Sequence, residues 1–288
     1  MVAIKHILFP MDFSERCNAA IPFVAAMADR FGARVTLISA VQPFYYAGMG
    51  DPGNLVMVDT EALLTELKAR VDGLTVKEFA HLKVEKYADL GDPADVITSF
   101  AHDKSVDLIM MPTHGYGPFR TLLLGSVAAK ILHDAKCPVW TAAHGTEEPS
   151  PEHVNPRTIL CAVEAAPKSV ELIKWAAEFS KTMGAELRLS HVVPGIESWP
   201  GSQMNQEFER DMKLEAKAQI EKLKESAGVD AAVHVVSGHV ADAVREEALN
   251  HNADLVIIGR GVLQETLGRL RSNAYAIIRN APCPVLSV

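Results

Sequence analysis

Two short stretches hold the residues best suited by type and spacing to do chemistry. One is Pro112-Thr113-His114-Gly115-Tyr116-Gly117, with nine residues separating Gly115 from Gly125-Ser126-Val127. Glycines let backbone N–H groups approach an anion closely. Gly125-Ser126 stands where a helix should begin, and the unpaired N–H groups and positive dipole end of a helix favour phosphate. The competing interpretation is a tight turn with Ser126 as the helix N-cap. The other stretch is Pro10-Met11-Asp12, at the end of an apolar run that starts at Ile4. A carboxylate there can bond a ribose hydroxyl or hold a metal, or Asp12 or Ser14 can simply cap the next helix. The phosphate-holding interpretation gains weight only if Asp12 and the glycine loop come together.

Other chemistry finds little support. The 11 histidines show no H-x-x-x-H or H-E-x-x-H spacing, so no metal centre is expected. No serine stands in G-x-S-x-G, and His114 has no visible partner for acid–base work. Cys17, Cys137, Cys161 and Cys283 form no C-x-x-C pair and read as small buried hydrophobes in a reducing compartment. The chain of 288 residues carries a net charge of −8, with 48% hydrophobic and 22% charged residues. That is the balance of a soluble globular protein. It lacks the basic patch that nucleic acid or an anionic membrane would require. No apolar run is long enough to span a bilayer, and Met1 leads straight into a strand without a leader. The expected location is cytoplasmic.

The elements that position these stretches repeat. Ile4–Met11, Arg34–Val41, His81–Ala88, Val106–Met111 and Pro138–Ala143 read as strands. Helices are expected from Ser14 to Phe31 (stopped by Gly32), from Asp59 to Ala80, from Pro93 to His102 and from Ser126 to Asp134. Pro43 to Gly53 reads as a loop. About 146–152 residues later the pattern returns: His6-Ile7-Leu8 becomes Thr158-Ile159-Leu160, Asp107-Leu108-Ile109 becomes Asp254-Leu255-Val256, and Cys137-Pro138-Val139 becomes Cys283-Pro284-Val285. A repeat this long is a duplicated domain, not a solenoid unit. The expected domains are 1–147 and 155–288, joined by an exposed linker over His144–Pro156. Strands alternating with helices mean parallel sheets with helices on both faces. The expected architecture is two tandem doubly wound α/β domains, each with five parallel strands in the order 3-2-1-4-5. Ligands in such sheets bind at the carboxyl ends of strands where the order reverses. That places Asp12 and the glycine loop side by side. The fifth strand of each half would be a short apolar edge, and the two edges are expected to pair within the chain.

The residues Leu8-Phe9-Pro10-Met11-Asp12-Phe13-Ser14, Thr113-His114-Gly115, Gly125-Ser126-Val127 and Cys137-Pro138-Val139 resemble the universal stress protein family. Because the repeat covers nearly the whole chain, it resembles a tandem member. The resemblance implies that the first half binds ATP or ADP, with or without Mg. The loop residues Met111, Thr113, His114 and Gly115, with Gly125, Ser126 and Val127, would hold the phosphates. Pro10 and Asp12 would lie by the ribose, and Ala40 and Val41 would wall the adenine. Pro112 departs from the family pattern, which has glycine there, and so removes one N–H. The second half departs further. It reads Gly259-Arg260-Gly261, then Arg271-Ser272 where the first half has Gly125-Ser126, and Glu164 replaces Asp12. Arg269 and Arg271 could grasp an anion themselves or serve as surface or interdomain salt-bridging residues. The implied role is stress-response regulation with little or no catalysis. A slow ATPase and a nucleotide-independent interaction scaffold are the alternatives, and further homodimerisation is left open.

Overall fold

A computed structural model describes residues 2–43, 46–47, 55–56, 59–115, 124–143, 154–195, 202–260 and 270–288. They fall into two compact units, one within Ile4–Pro118 and Gly125–Cys137 and the other within Pro138–Val288.

In the first unit β1 (His6–Pro10) is an apolar strand buried along most of its length. Ser14 then caps α1 (Glu15–Phe31), its hydroxyl accepting from the Cys17 N–H, and Gly32 ends the helix at φ +62°. That left-handed position is one glycine adopts without a Cβ penalty. β2 (Arg34–Val41) runs parallel to β1, with His6 opposite Arg34 and Pro10 opposite Ile38. The stretch expected to be loop contains two short antiparallel strands, β3 (Tyr46–Ala47) and β4 (Leu55–Val56). α2 (Thr60–Asp72) begins at Asp59, whose carboxylate accepts from the N–H groups of Glu61 and Ala62. It stops short of the expected Ala80 because Gly73 intervenes and a 3₁₀ turn, Lys77–Phe79, buries Phe79. The next strand, β5 (Val84–Leu90), therefore starts later than expected and pairs parallel with β2. α3 (Pro93–Asp103) is capped by Asp92, with Pro93 in its first turn. β6 (Leu108–Met111) pairs parallel with the other side of β1, and α4 (Ser126–Asp134) follows. The order within this unit is β5-β2-β1-β6.

The second unit opens with β7 (Val139–Thr141), then β8 (Thr158–Ala162), α5 (Ser169–Met183), β9 (Glu186–Val193), α6 (Ser202–Ala227), β10 (Ala232–Ser237), α7 (Val240–Asn250), β11 (Leu255–Ile258), α8 (Leu270–Asn280) and β12 (Val285–Ser287). Its parallel strands lie in the order β10-β9-β8-β11-β12, the doubly wound pattern with strand one in the middle. β7 adds to this sheet antiparallel to β12, with Trp140 opposite Leu286. The pairing is reciprocal: Thr141 Oγ1 donates to the Val285 carbonyl and Ser287 Oγ to the Val139 carbonyl, both at 3.2 Å. The last strand of the first half is thus a member of the second unit's sheet.

The repeat is visible in the hydrogen bonding. Asp107 Oδ2 accepts from the backbone N–H groups of Lys5 and His6 at 2.8 and 3.0 Å. Asp254 Oδ2 accepts from Arg157 and Thr158 at 2.7 and 3.0 Å. Each aspartate satisfies the N–H groups at the entry to a central strand and ties that strand to the next in the sheet. Asp107→Ala removes both acceptors and should cost about 1–3 kcal/mol, measured as a lower urea midpoint at unchanged slope.

β7 would lose its antiparallel partner in a chain ending at residue 147, since β12 supplies it. An apolar edge carrying Trp140 would then be open. Such a fragment is expected to self-associate in light scattering, whereas the full chain does so less at equal concentration. A monomeric fragment at high concentration would contradict this account of the edge.

Candidate functional site

Where β1 ends, the chain makes a tight local turn. Asp12 Oδ1 accepts from the Ser14 N–H at 2.9 Å. Phe13 between them has φ +64°, a left-handed conformation that an aromatic residue adopts only when its surroundings impose it. Its ring supplies the reason. It packs with Val41 against buried Leu67, Val71 and Ala88, and the Arg70 guanidinium sits 3.9 Å from its centroid. Phe13 is therefore anchored on the α2 side, and the Asp12 carboxylate is left toward β6.

The loop after β6 meets it there. A Cβ on Gly115 would lie 2.0 Å from Asp12 Oδ2, so the two segments touch and any side chain there would make the Asp12 carboxylate or the loop shift. Thr113 and His114 are buried, with His114 Nδ1 3.2 Å from Thr113 Oγ1. Gly125 closes the arrangement: its N–H donates to the Thr113 carbonyl at 3.0 Å. A Cβ on Gly125 would lie 3.2 Å from that same oxygen. Gly125, not Ser126, is the N-cap of α4, and no side chain caps this helix. Within the first unit this contrasts with α1, α2 and α3, each of which carries a capping Ser or Asp; in the second unit α5 and α7 also lack a side-chain cap. Among the described residues, no side chain caps the first turn of α4, which begins with Ser126 and Val127.

The remaining expected residues fall around this point. Pro10 and Met111 end the two neighbouring strands, Met111 buried and Pro10 half-buried. Ala40 and Val41, half-buried, end β2 opposite Asp89 and Leu90. Tyr116 and Gly117 of the glycine loop lie outside the described residues. Lys130, one turn into α4, is engaged by Asp95 at 2.6 Å and Asp92 at 3.2 Å. Hydrogen bonds to Asp95 and Asp92 hold its ammonium above the usual lysine range. Cys17 lies beneath the loop with its thiol 3.4 Å from the Pro10 carbonyl. Burial pushes that thiol up to about 12, which leaves it protonated and unreactive at neutral pH. The site is thus built from backbone donors, one carboxylate and small residues, a composition suited to holding an anion rather than attacking it.

The corresponding place in the second half has different contents. Glu164 is exposed and pairs with Lys168 at 2.9 Å, and the Glu164 carbonyl accepts from Ser169 Oγ at 2.7 Å. Arg260 follows Gly259, and its N–H donates to the Val288 carbonyl. A cavity of about 700 Å³ opens here, with Leu172, Trp175, Val244 and Ile277 among its apolar lining and Lys168 and Arg260 among its polar groups. Arg269 lies outside the described residues, and of Arg271 only the backbone, in α8, is described.

An open parallel sheet with its loops meeting where the strand order reverses defines a class of α/β proteins that bind ligands at that crevice. Comparison with known proteins narrows the class. The universal stress protein family model matches residues 3–142 and again residues 155–288. The chain belongs to the universal stress protein family, as a tandem member with two copies of its domain. A universal stress protein of Methanocaldococcus jannaschii is 32% identical over 138 residues, covering 47% of this chain and 79% of its own length. One from Thermus aquaticus is also 32% identical over 138 residues, covering 47% of this chain and 96% of its own length. Among solved structures, a universal stress protein of Archaeoglobus fulgidus covers 100% of this chain and 97% of its own, with a TM-score of 0.64 and 20% identity. A Pseudomonas aeruginosa protein described as functionally unknown gives 0.67 at 16% identity, covering 99% of this chain and 92% of its own. These two support the same fold.

The Asp12–Gly115 contact makes a measurable coupling. Gly115→Ala forces the Asp12 carboxylate or the loop to move and should destabilise by about 1–3 kcal/mol. Asp12→Ala vacates the space, so the double variant should be less destabilised than the sum of the singles by at least about 0.5 kcal/mol. Additive single effects in denaturant titrations would mean that the two groups do not meet.

Proposed function

We propose that the first half binds an adenine nucleotide, ATP or ADP, and that the chain is a nucleotide-responsive regulatory protein of the stress-response type. The observation that carries this reading is the convergence of Asp12, Gly115 and Gly125 beside an α4 N-terminus that no side chain caps. Backbone donors at a helix start bind phosphate without lysine or arginine, which suits a chain of net charge −8. The Asp12 carboxylate, held by the Ser14 N–H, is in position to accept from a ribose hydroxyl, and Ala40 and Val41 offer a small apolar wall for the base. Mg, where present, would be carried by the phosphates with Asp12 as the nearest described carboxylate in the loop. The same residues supply no dedicated catalysis. His114 is buried against Thr113, and the Cys17 thiol is protonated. Glu164–Lys168 pairing and the Gly125-to-Arg271 replacement argue that the second half does not hold nucleotide in the same pose.

Calorimetry with ATP should give one tight site per chain. Gly125→Val puts a branched side chain against the Thr113 carbonyl at the phosphate position and should weaken binding at least tenfold in a protein whose circular dichroism is unchanged. Asp12→Ala, which adds no bulk, should weaken it less. Undiminished affinity in a folded Gly125→Val chain, or two equivalent sites in the wild type, would refute this assignment.

A further inference from the structure

The second unit brings His234 from one strand beside Glu247 and His251, an i,i+4 pair at the end of one helix. His234 is on β10, the last strand of its sheet. Glu247 is in the final turn of α7, and His251 is that helix's C-cap. One ligand atom from each lies within 4.8 Å of the other two. The imidazole rings of His234 and His251 have centroids 4.3 Å apart, and His251 Nε2 is 3.4 Å from Glu247 Oε2. No histidine spacing in the sequence points to this group, because the fold, not the local chain, adds His234.

The cluster is unsatisfied as it stands. Glu247 is only 7% exposed, and its Oε2 has no hydrogen-bond partner. His234 Nε2 is also buried without one. A buried carboxylate oxygen met by a 3.4 Å contact from His251 Nε2 and a buried imidazole nitrogen without a partner are poorly satisfied, and both are lone-pair donors facing one small volume. An electrophile between them satisfies both. Helix dipole and chemistry agree, since α7 ends at His251 and the C-terminal end of a helix favours a cation.

We propose that His234, Glu247 and His251 form a binding site for a divalent d-block cation of the zinc class. Two imidazole nitrogens and one carboxylate are a donor set of intermediate softness, which suits zinc and its neighbours rather than magnesium or calcium. Three protein ligands leave a fourth position open. An ion about 2.0–2.1 Å from each ligand holds them about 3.3 Å apart in a tetrahedron, so the side chains close by up to about 1.5 Å. Arg188 completes the account. Its Nη1 is 3.2 Å from His251 Nδ1, and its Nη2 is 2.8 Å from Glu186. While Arg188 donates to Nδ1, the ring proton sits on Nε2. Coordination through Nε2 moves that proton to Nδ1 by way of solvent, and Arg188 turns wholly to Glu186. The bound ion would fasten the end of α7 to the outermost strand of the sheet.

The test uses the untagged full chain, stripped by chelator and free of nucleotide, titrated with Co²⁺ and followed by visible absorption. One Co²⁺ per chain is expected, with the strong d–d bands of a four- or five-coordinate site, bleached by one equivalent of Zn²⁺. His234→Ala, Glu247→Gln and His251→Ala should each weaken binding at least tenfold, while the exposed His239→Ala should not. In the wild type, Zn²⁺ should shift the imidazole nitrogen resonances of two histidines, a readout that does not depend on any variant folding. Co²⁺ that keeps its aqueous spectrum, Zn²⁺ that moves no imidazole resonance, or bands that persist in folded variants of all three ligands would overturn the site.

Discussion

A strand buried in the middle of a sheet has no water to satisfy its backbone, so each of its polar groups must be paired by a neighbour. β1 meets this requirement with β2 on one side and β6 on the other, and its entry is secured by Asp107. The rest of the first unit depends on that. Once β2 and β6 flank β1, the chains leaving β1 and β6 at their carboxyl ends must part toward different helices, α1 and α4. The opening left between them is where Asp12 and Gly115 touch. The site follows from the sheet's hydrogen bonding, and the loop chemistry only refines it.

The duplication separates what the fold needs from what the site needs. Asp107 and Asp254 do the same work in the two halves. Ser105 and Asn252 share a left-handed conformation, at φ +49° and +48°, just before those aspartates. Gly91 and Gly238, at φ +150° and +140°, each donate an N–H back to the end of the sheet's second strand, at Val41 and Val193. None of these positions touches the crevice. At the crevice itself the halves part company: Asp12 meets Gly115, while Glu164 turns to Lys168. Identical scaffolding around different contents is the pattern expected when one copy keeps a ligand and the other is released from it.

Legibility in the sequence followed the range of the interaction. Helix starts were readable because Ser14, Asp59 and Asp92 cap within three residues of themselves, and Gly32 stops α1 by its own backbone freedom. Continuous apolar runs marked β1, β6, β8 and β11. The order 3-2-1-4-5 follows from right-handed crossovers between such runs and from the family resemblance. The errors came where an apolar pattern was compatible with two structures. Leu74 to Phe79 continues a helical rhythm, yet Gly73 breaks it and Phe79 is buried by a 3₁₀ turn, which displaced the expected strand three. Short β3 and β4 lie in a stretch whose Gly, Pro and Tyr content reads as loop. At the site, the glycines were visible but their reasons were not. That Gly115 must accommodate Asp12, and that Phe13 must take φ > 0 to anchor under Arg70, depends on contacts over 50 residues or more of chain. In the His234–Glu247–His251 group the Glu247–His251 pair is local, and only tertiary packing adds His234 from β10.

The two binding proposals rest on one property of helices used at opposite ends. α4 begins with a glycine and no capping side chain, so its unpaired N–H groups offer partial positive charge to an anion. α7 ends with a carboxylate in its last turn and an imidazole at its C-cap, at the helix end whose dipole favours a cation. α4 has no Ser or Asp at its cap among the described residues. The last carbonyls of α7 are taken up by the N–H groups of His251, Asn252 and Ala253, but no Lys or Arg stands in its last turn to offset the dipole. On the two proposals a ligand would supply the complementary charge, phosphate at the first and a metal ion at the second. The two sites use different elements in different units, so occupancy of one leaves the polar requirements of the other unchanged.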